Sequence, residues 1–295
     1  VVNLTPKVRL FRFAPISGAT ARGQSNLLNA MDLLCGVWFD KKSDIDEETG
    51  VLPFLLDTET PNEPSEFNIK FFVDDKRYWY TLVLNDKQVI KENLYVYNSV
   101  QPSLVFSREL DGTASLIKLN ASLVKANATI VEQLNVKCLS NMSFFAARNQ
   151  VNCSLAYIDE VRDWMKNNMM LIIEPGTRMF EYAGKQMEKN AELKAYILDF
   201  VHKADYNITD VYTEREKVPI PDFVKTSIME DKDIPEKTKE KMLADNALER
   251  LRTDFYHTVK NKRGEENYRL PNSLQSEGTK RTFGIEAAIY EAIKT

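Results

Sequence analysis

The chain has 295 residues, with 39 Lys and Arg against 43 Asp and Glu and a formal net charge of −4. A balance this mild does not argue for nucleic-acid binding by bulk electrostatics and gives no sign of a polybasic membrane anchor. A hydrophobic content of 43% beside 28% charged residues excludes wholesale disorder. The length suits about two domains.

Cys35, Cys138 and Cys153 are widely spaced and form no CxxC pair, so neither a disulfide scaffold nor a structural zinc site is expected. His202 and His257 are the two histidines, too few for a His-rich metal centre. No GxSxG supports a Ser-His-Asp hydrolase. No apolar run reaches ~18 residues, so no membrane span or membrane partner is expected. These features read as a cytoplasmic, reduced protein.

Residues 7–16 end in an apolar stretch suited to a strand, and a small-residue loop runs from Ser17 to Ser25. Leu27, Leu28, Met31 and Leu34 then share a helical face. The first unit therefore reads strand, loop, helix. Residues 40–66 are acidic and carry Pro53, Pro61 and Pro64, as a surface connection does. Aromatic and β-branched runs follow at Phe67 to Val73, Arg77 to Leu84 and Gln88 to Tyr97, with Asp74-Asp75 and Asn85-Asp86 between them. They predict an antiparallel meander, extended by a hairpin turning at Asp111-Gly112.

From about Thr129 to Lys203 the spacing turns helical, with Ile158, Val161, Trp164 and Met165 on one face and Leu193, Ile197, Leu198 and Val201 on another. A strand is expected near Asn207 to Tyr212, then a solvated helical excursion over residues 214–250. Acidic residues interleave with lysines there, so no basic stripe forms and a nucleic-acid role stays open. Strand-like residues return after 251, and a final helix runs from Thr282 to Ile293. The expected organisation is an N-terminal lobe (1–128), a helical insertion (129–250), and return strands with a closing helix (251–295). Trp38, Trp79 and Trp164 are expected in the core.

Glycine is scarce: ten in the chain, about half the usual ~7%. Two of the ten, Gly18 and Gly23, bound an eight-residue loop, Gly18-Ala-Thr-Ala-Arg-Gly-Gln-Ser25. Its spacing is that of G-x-x-x-x-G-K-[ST], with Gln24 where lysine stands. In such a loop the glycines let backbone N–H groups reach phosphate oxygens, and the next helix presents its positive N-terminal end. Ser25 is placed to hold Mg²⁺. Gln24 keeps a hydrogen-bond donor but loses a full charge, and charged hydrogen bonds contribute about 1.5–3 kcal/mol against ~1 for neutral ones. Arg22 is a candidate substitute charge. On its own the loop also reads as an ordinary glycine-containing strand–helix turn.

Residues 16–34, ISGATARGQSNLLNAMDLL, resemble the Walker A region of AAA-type ATP/GTP phosphatases related to abortive-infection proteins, members of the ABC/SMC-like ATPase class. Pro64-Ser-Glu-Phe67, Arg77-Tyr-Trp-Tyr80, Ile90-Lys-Glu-Asn-Leu-Tyr95, Phe106-Ser-Arg108 and Asp205 to Val211 are similar to further motifs of that family, in order. Gln275-Ser-Glu-Gly-Thr-Lys-Arg281 resembles its counterpart of the ABC signature.

The resemblance implies an α/β fold with α+β character: an ABC/SMC-like P-loop ATPase head, incomplete at its C-terminus. It implies ATP and Mg²⁺ as ligands, with Gly18, Ala19, Thr20, Ala21, Arg22, Gly23, Gln24, Ser25 and Asn26 holding nucleotide and Ser25 the metal. Ser276, Glu277, Gly278, Thr279 and Lys280 would face nucleotide on a second subunit, so a homodimer is implied, together with a partner effector and a phage-defence role. No catalytic residue is assigned. The family's apolar strand ending in Asp-Glu has no convincing counterpart; Tyr157-Ile-Asp-Glu160 comes nearest, in the wrong order. Gln24 and that missing strand point to weak turnover. A non-hydrolysing nucleotide sensor and a protein-interaction scaffold of the same fold remain as alternatives.

Overall fold

A computed structural model describes residues 2–5, 8–10, 14–19, 23–169, 172–174, 176–177, 179–204, 207–231, 234–244 and 246–294. It divides into two compact units, Val1–Ile173 and Glu174–Thr295. The division falls inside the segment read from the sequence as one helical insertion.

In the first unit β1 (Val2–Thr5) and β2 (Val8–Leu10) pair antiparallel, followed by α1 (Gln24–Phe39). The main sheet comprises β3 (Ser65–Val73), β4 (Lys76–Leu84), β5 (Val89–Tyr97), β6 (Ser103–Asp111) and β7 (Ala114–Leu119). Its strands are neighbours in chain order and all antiparallel, as the meander pattern predicts. The unit also holds α2 (Ala128–Lys137), α3 (Phe144–Arg148) and α4 (Ile158–Asn168).

The turns follow from their residues. Asp74 takes φ 49° between β3 and β4, and Gly112 takes φ 61° between β6 and β7. Between β4 and β5 the Asn85 side chain accepts N–H bonds from Lys87 (3.0 Å) and Gln88 (2.7 Å), an Asx turn.

One face of β4 (Tyr78, Tyr80, Leu82 and Leu84) is fully buried. The strand period of two puts Arg77, Trp79 and Thr81 on the other face. Trp79 therefore lies outside the core, stacked on Tyr95 with ring centroids 4.7 Å apart, contrary to its expected place. Trp38 is fully buried and meets Tyr80 edge-on at 5.5 Å, and Trp164 stacks on Phe71 at 5.0 Å. The apolar face of α1 is only partly used: Leu34 is buried, whereas Leu27 and Leu28 are each 47% exposed.

All five residues of α3 are buried. Its N-cap, Ser143, accepts from Ala146 N–H (3.1 Å) and donates to the Val37 carbonyl of α1 (2.6 Å). Glu92, fully buried on β5, fastens this helix to the sheet. Its carboxylate accepts from the Phe144 N–H (2.6 Å) and from the Tyr80 hydroxyl (3.0 Å). Directly across on β6, Arg108 donates to the Val89 carbonyl, to Ser115 Oγ (2.8 Å) and to the Ser140 carbonyl (3.1 Å).

The second unit holds α5 (Phe180–Lys189), α6 (Ala191–Lys203), β8 (Asp210–Pro219), α7 (Asp222–Glu230), α8 (Glu236–Ala244), β9 (Ala247–Asn261), β10 (Gly264–Pro271) and α9 (Glu277–Lys294). Its sheet has the order β10-β9-β8, antiparallel throughout. Residues 214–219 and 247–250, read from the sequence as parts of a helical excursion, are strand instead. Residues 214–219 pair with 247–252 across the α7–α8 hairpin, and that pairing is invisible to local charge composition. The core joins Leu193, Ile197 and Val201 of α6 to Phe255 of β9 and to Phe283 and Ala287 of α9.

Burial pushes the Glu92 carboxyl up to about 7 from 4.5, against the Phe144 N–H, the Arg108 charge and the Tyr80 hydroxyl, which favour the ion. A native pKa above the unfolded one contributes stability that is complete below pH 4.5 and lost as pH rises through 7. Glu92→Gln should therefore flatten the fall in melting temperature between those pH values, and an unchanged pH profile would remove Glu92 as its source.

Candidate functional site

Ala14 to Gly18 are irregular and exposed, and Ala19 sits in a bend. Thr20, Ala21 and Arg22, expected to bind nucleotide, lie outside the described residues. Gly23 has φ 86° and ψ 14°, the left-handed region that disfavours any residue with a Cβ. Space does not require glycine there, because an added Cβ would meet only Asn26 Nδ2, at 3.8 Å. The backbone angle does. Helix α1 begins at the next residue, Gln24, so Ser25 and Asn26 are first-turn residues, both exposed. The Asn26 N–H donates to the Gly23 carbonyl (3.1 Å), no side chain caps the helix, and its first turn holds no acidic residue. An uncapped helix start without acids is compatible with an anion.

The signature-like segment opens α9. Ser276 accepts from the Thr279 N–H (3.0 Å) and shares a hydroxyl contact with Thr279 (2.8 Å), so it is the N-cap. Lys280 pairs with Glu277 one turn away. Glu277 and Gly278 are exposed, and Thr279 is buried. The first turn of α9 borders a cavity of about 610 Å³ whose other walls include Phe180 of α5 and Arg250 and Leu251 of β9.

Two glycines set the spacing of that cavity. A Cβ on Gly284 would lie 2.5 Å from Met179 Cβ, and one on Gly184 would lie 2.7 Å from Thr253 Oγ1. Only glycine lets α9 approach Met179 at the start of α5, and α5 approach β9, so closely.

Residues of three other family-like motifs are architectural, while Asp205 and Tyr206 of a further one lie outside the described residues. Tyr78 and Tyr80 are core residues, Glu92 holds α3, and Arg108 ties β5 and β7 to residues 139–140. Asp159 pairs with Arg148 (2.8 Å) and Glu160 with Lys76 (2.8 Å), so Tyr157 to Glu160 open α4 with both carboxylates engaged. His202 is exposed near the end of α6, and His257 Nε2 contacts Gln275 Nε2 at 2.7 Å. No group of three or more His, Cys, Asp or Glu able to hold a metal occurs among the described residues. No helix is long and apolar enough to cross a membrane, again among the described residues.

Sequence reasoning missed Asp254, whose side chain is 1% exposed and is held by Arg252 (2.9 Å) and Arg269 (2.8 Å). Burial raises its pKa, but the two guanidiniums outweigh burial and keep it below the usual carboxylate range. The alternating Arg252, Asp254 pair in a strand was a visible signal, though its partner Arg269 is 15 residues away.

Residues 23–118 match the family model described as "AAA domain, putative AbiEii toxin, Type IV TA system". The N-terminal part of the chain resembles an AAA-type, abortive-infection-related ATPase. The matched AAA-like segment begins at the left-handed Gly23 and takes in α1 and the five-stranded sheet up to the penultimate residue of β7. Comparison with curated proteins and with solved structures found no match.

Ser276 is accounted for as a cap without any nucleotide. Ser276→Ala should cost about 1 kcal/mol in urea denaturation of the ligand-free chain. An unchanged midpoint would leave the hydroxyl without that structural role.

Proposed function

We propose that the chain is a nucleotide-binding, ATPase-like head of the abortive-infection class, working as a dimer that closes around ATP with weak turnover. The observation that carries the reading is Gly23, held at φ 86° immediately before an uncapped helix, in a chain with few glycines. The family match that starts at that residue supports it independently.

In this reading the backbone from Gly18 to Gly23, with the first turn of α1, cradles the phosphates. Ser25 would be the Mg²⁺ ligand, and the metal would supply neutralisation of phosphate charge. The exposed first-turn position of Ser25 fits a hard-oxygen ligand reached from solvent. Gln24 donates a neutral hydrogen bond where a lysine would supply charge, a loss that falls most heavily on the transition state. Ser276 to Lys280 form the surface offered to nucleotide on a second subunit. The reading also includes an effector partner and a role in phage defence, the latter in keeping with the AbiEii toxin named in the family description.

Calorimetric titration of Mg-ATP into this chain and into Gln24→Lys tests the reading. Saturable binding by both, tighter for the lysine form by about tenfold, is expected for a gain on the order of 1.4 kcal/mol. Absence of binding by both would end the nucleotide reading.

A further inference from the structure

The cavity of the second unit has a chemistry of its own. Arg250 of β9 and Arg281 of α9 both line it, and neither has a carboxylate partner among the described residues. Arg215 pairs with Glu188, and Arg252 and Arg269 with Asp254, whereas Arg263 in the β9–β10 turn also has no carboxylate partner among the described residues. Lys280 and Glu277 neutralise each other at the rim, and Glu181 supplies one negative charge against the two guanidiniums.

A second feature points the same way. Thr253 also lines the cavity and is only 2% exposed, so a threonine hydroxyl belongs to its wall. Asn272 adds an amide from the loop before α9. The opposite character comes from Phe180 and Leu251, which give the cavity an apolar side. Phe180 is braced by its stack on Phe255 at 5.6 Å.

We propose that this cavity is a binding site for a small phosphate monoester with a flat apolar body, a nucleoside monophosphate being the fitting class. Arg250 and Arg281 take the phosphate, because two guanidiniums match a dianion's oxygens with charge-assisted bonds. Thr253 and Asn272 complete the donors, and the ring lies along Phe180 and Leu251. The small excess of positive charge suits a monoester better than a triphosphate. A volume of about 610 Å³ lies within the ordinary range for small-ligand sites. All of these residues belong to the second unit, so the inference does not depend on the Gly18 to Ser25 loop.

The test is titration of the full chain with AMP, phenyl phosphate and inorganic phosphate in EDTA, where a Mg-dependent ATP site is not populated. Saturable binding of AMP is expected, with inorganic phosphate at least tenfold weaker. Arg250→Ala combined with Arg281→Ala should weaken AMP at least tenfold, and both side chains are exposed enough for the variant to keep the parent's melting curve.

A second measurement needs no variant: AMP should protect Arg250 and Arg281 of the unaltered chain from phenylglyoxal, read by peptide mass spectrometry. No saturable AMP binding, affinity untouched by the double substitution, or no protection of these two arginines would each overturn the proposal. Glu277, Gly278 and Lys280 border this cavity as well as the proposed second-subunit surface, so Mg-ATP binding that survives the double substitution is the part that belongs to the Gly18 to Ser25 loop.

Discussion

The first unit is organised around a carboxylate it can hardly hydrate. Glu92 lies on the buried face of the five-stranded sheet, fully enclosed, and points at the N-terminus of a helix only five residues long. A helix that short has little stability of its own, because nucleating a turn costs more than its few hydrogen bonds return. The Phe144 N–H finds its acceptor in Glu92, and Phe144 and Phe145 fill the space beside Phe106 and Tyr80. Arg108, opposite on the next strand, spends its hydrogen bonds on carbonyls and Ser115 and supplies the charge that moderates Glu92. Removing one member of such a buried set leaves an ion without compensation, which costs far more than the set contributes intact.

The second unit solves a different problem. Two helices and a strand approach so closely that Gly184 and Gly284 are required at their contacts. Close backbone approach there leaves the ends of α5, β9 and α9 around an open cavity, and the strand that lines it also buries Asp254 between two arginines. Charge in this unit is thus divided between a compensated buried cluster and uncompensated arginines at a cavity. The same residue type serves architecture in one place and is available to a ligand in the other.

Of the residues that resemble family motifs, most hold the sheet together. Tyr80, Glu92 and Arg108 meet in the core around α3, though they lie on three different strands. Nucleotide chemistry would rest on a much smaller set at the start of α1. There the left-handed Gly23 and an uncapped first turn are local features compatible with an anion.

The sequence by itself determined the elements whose cause is local. Alternating aromatic and β-branched residues, with Asp74, Asn85 and Gly112 at the turns, specify the meander, because side-chain period and turn angles are decided within a few residues. The glycine at position 23 was legible for the same reason.

Tertiary structure decided what depends on partners distant in the chain. It turned Trp79 outward, carried strand through residues 214–219 and 247–250, and left Leu27 and Leu28 exposed. It also brought Arg250, Thr253 and Arg281 around one cavity. Spacing along the chain is silent about such groupings: burial and charge compensation depend on which surfaces meet, and here those surfaces lie tens of residues apart.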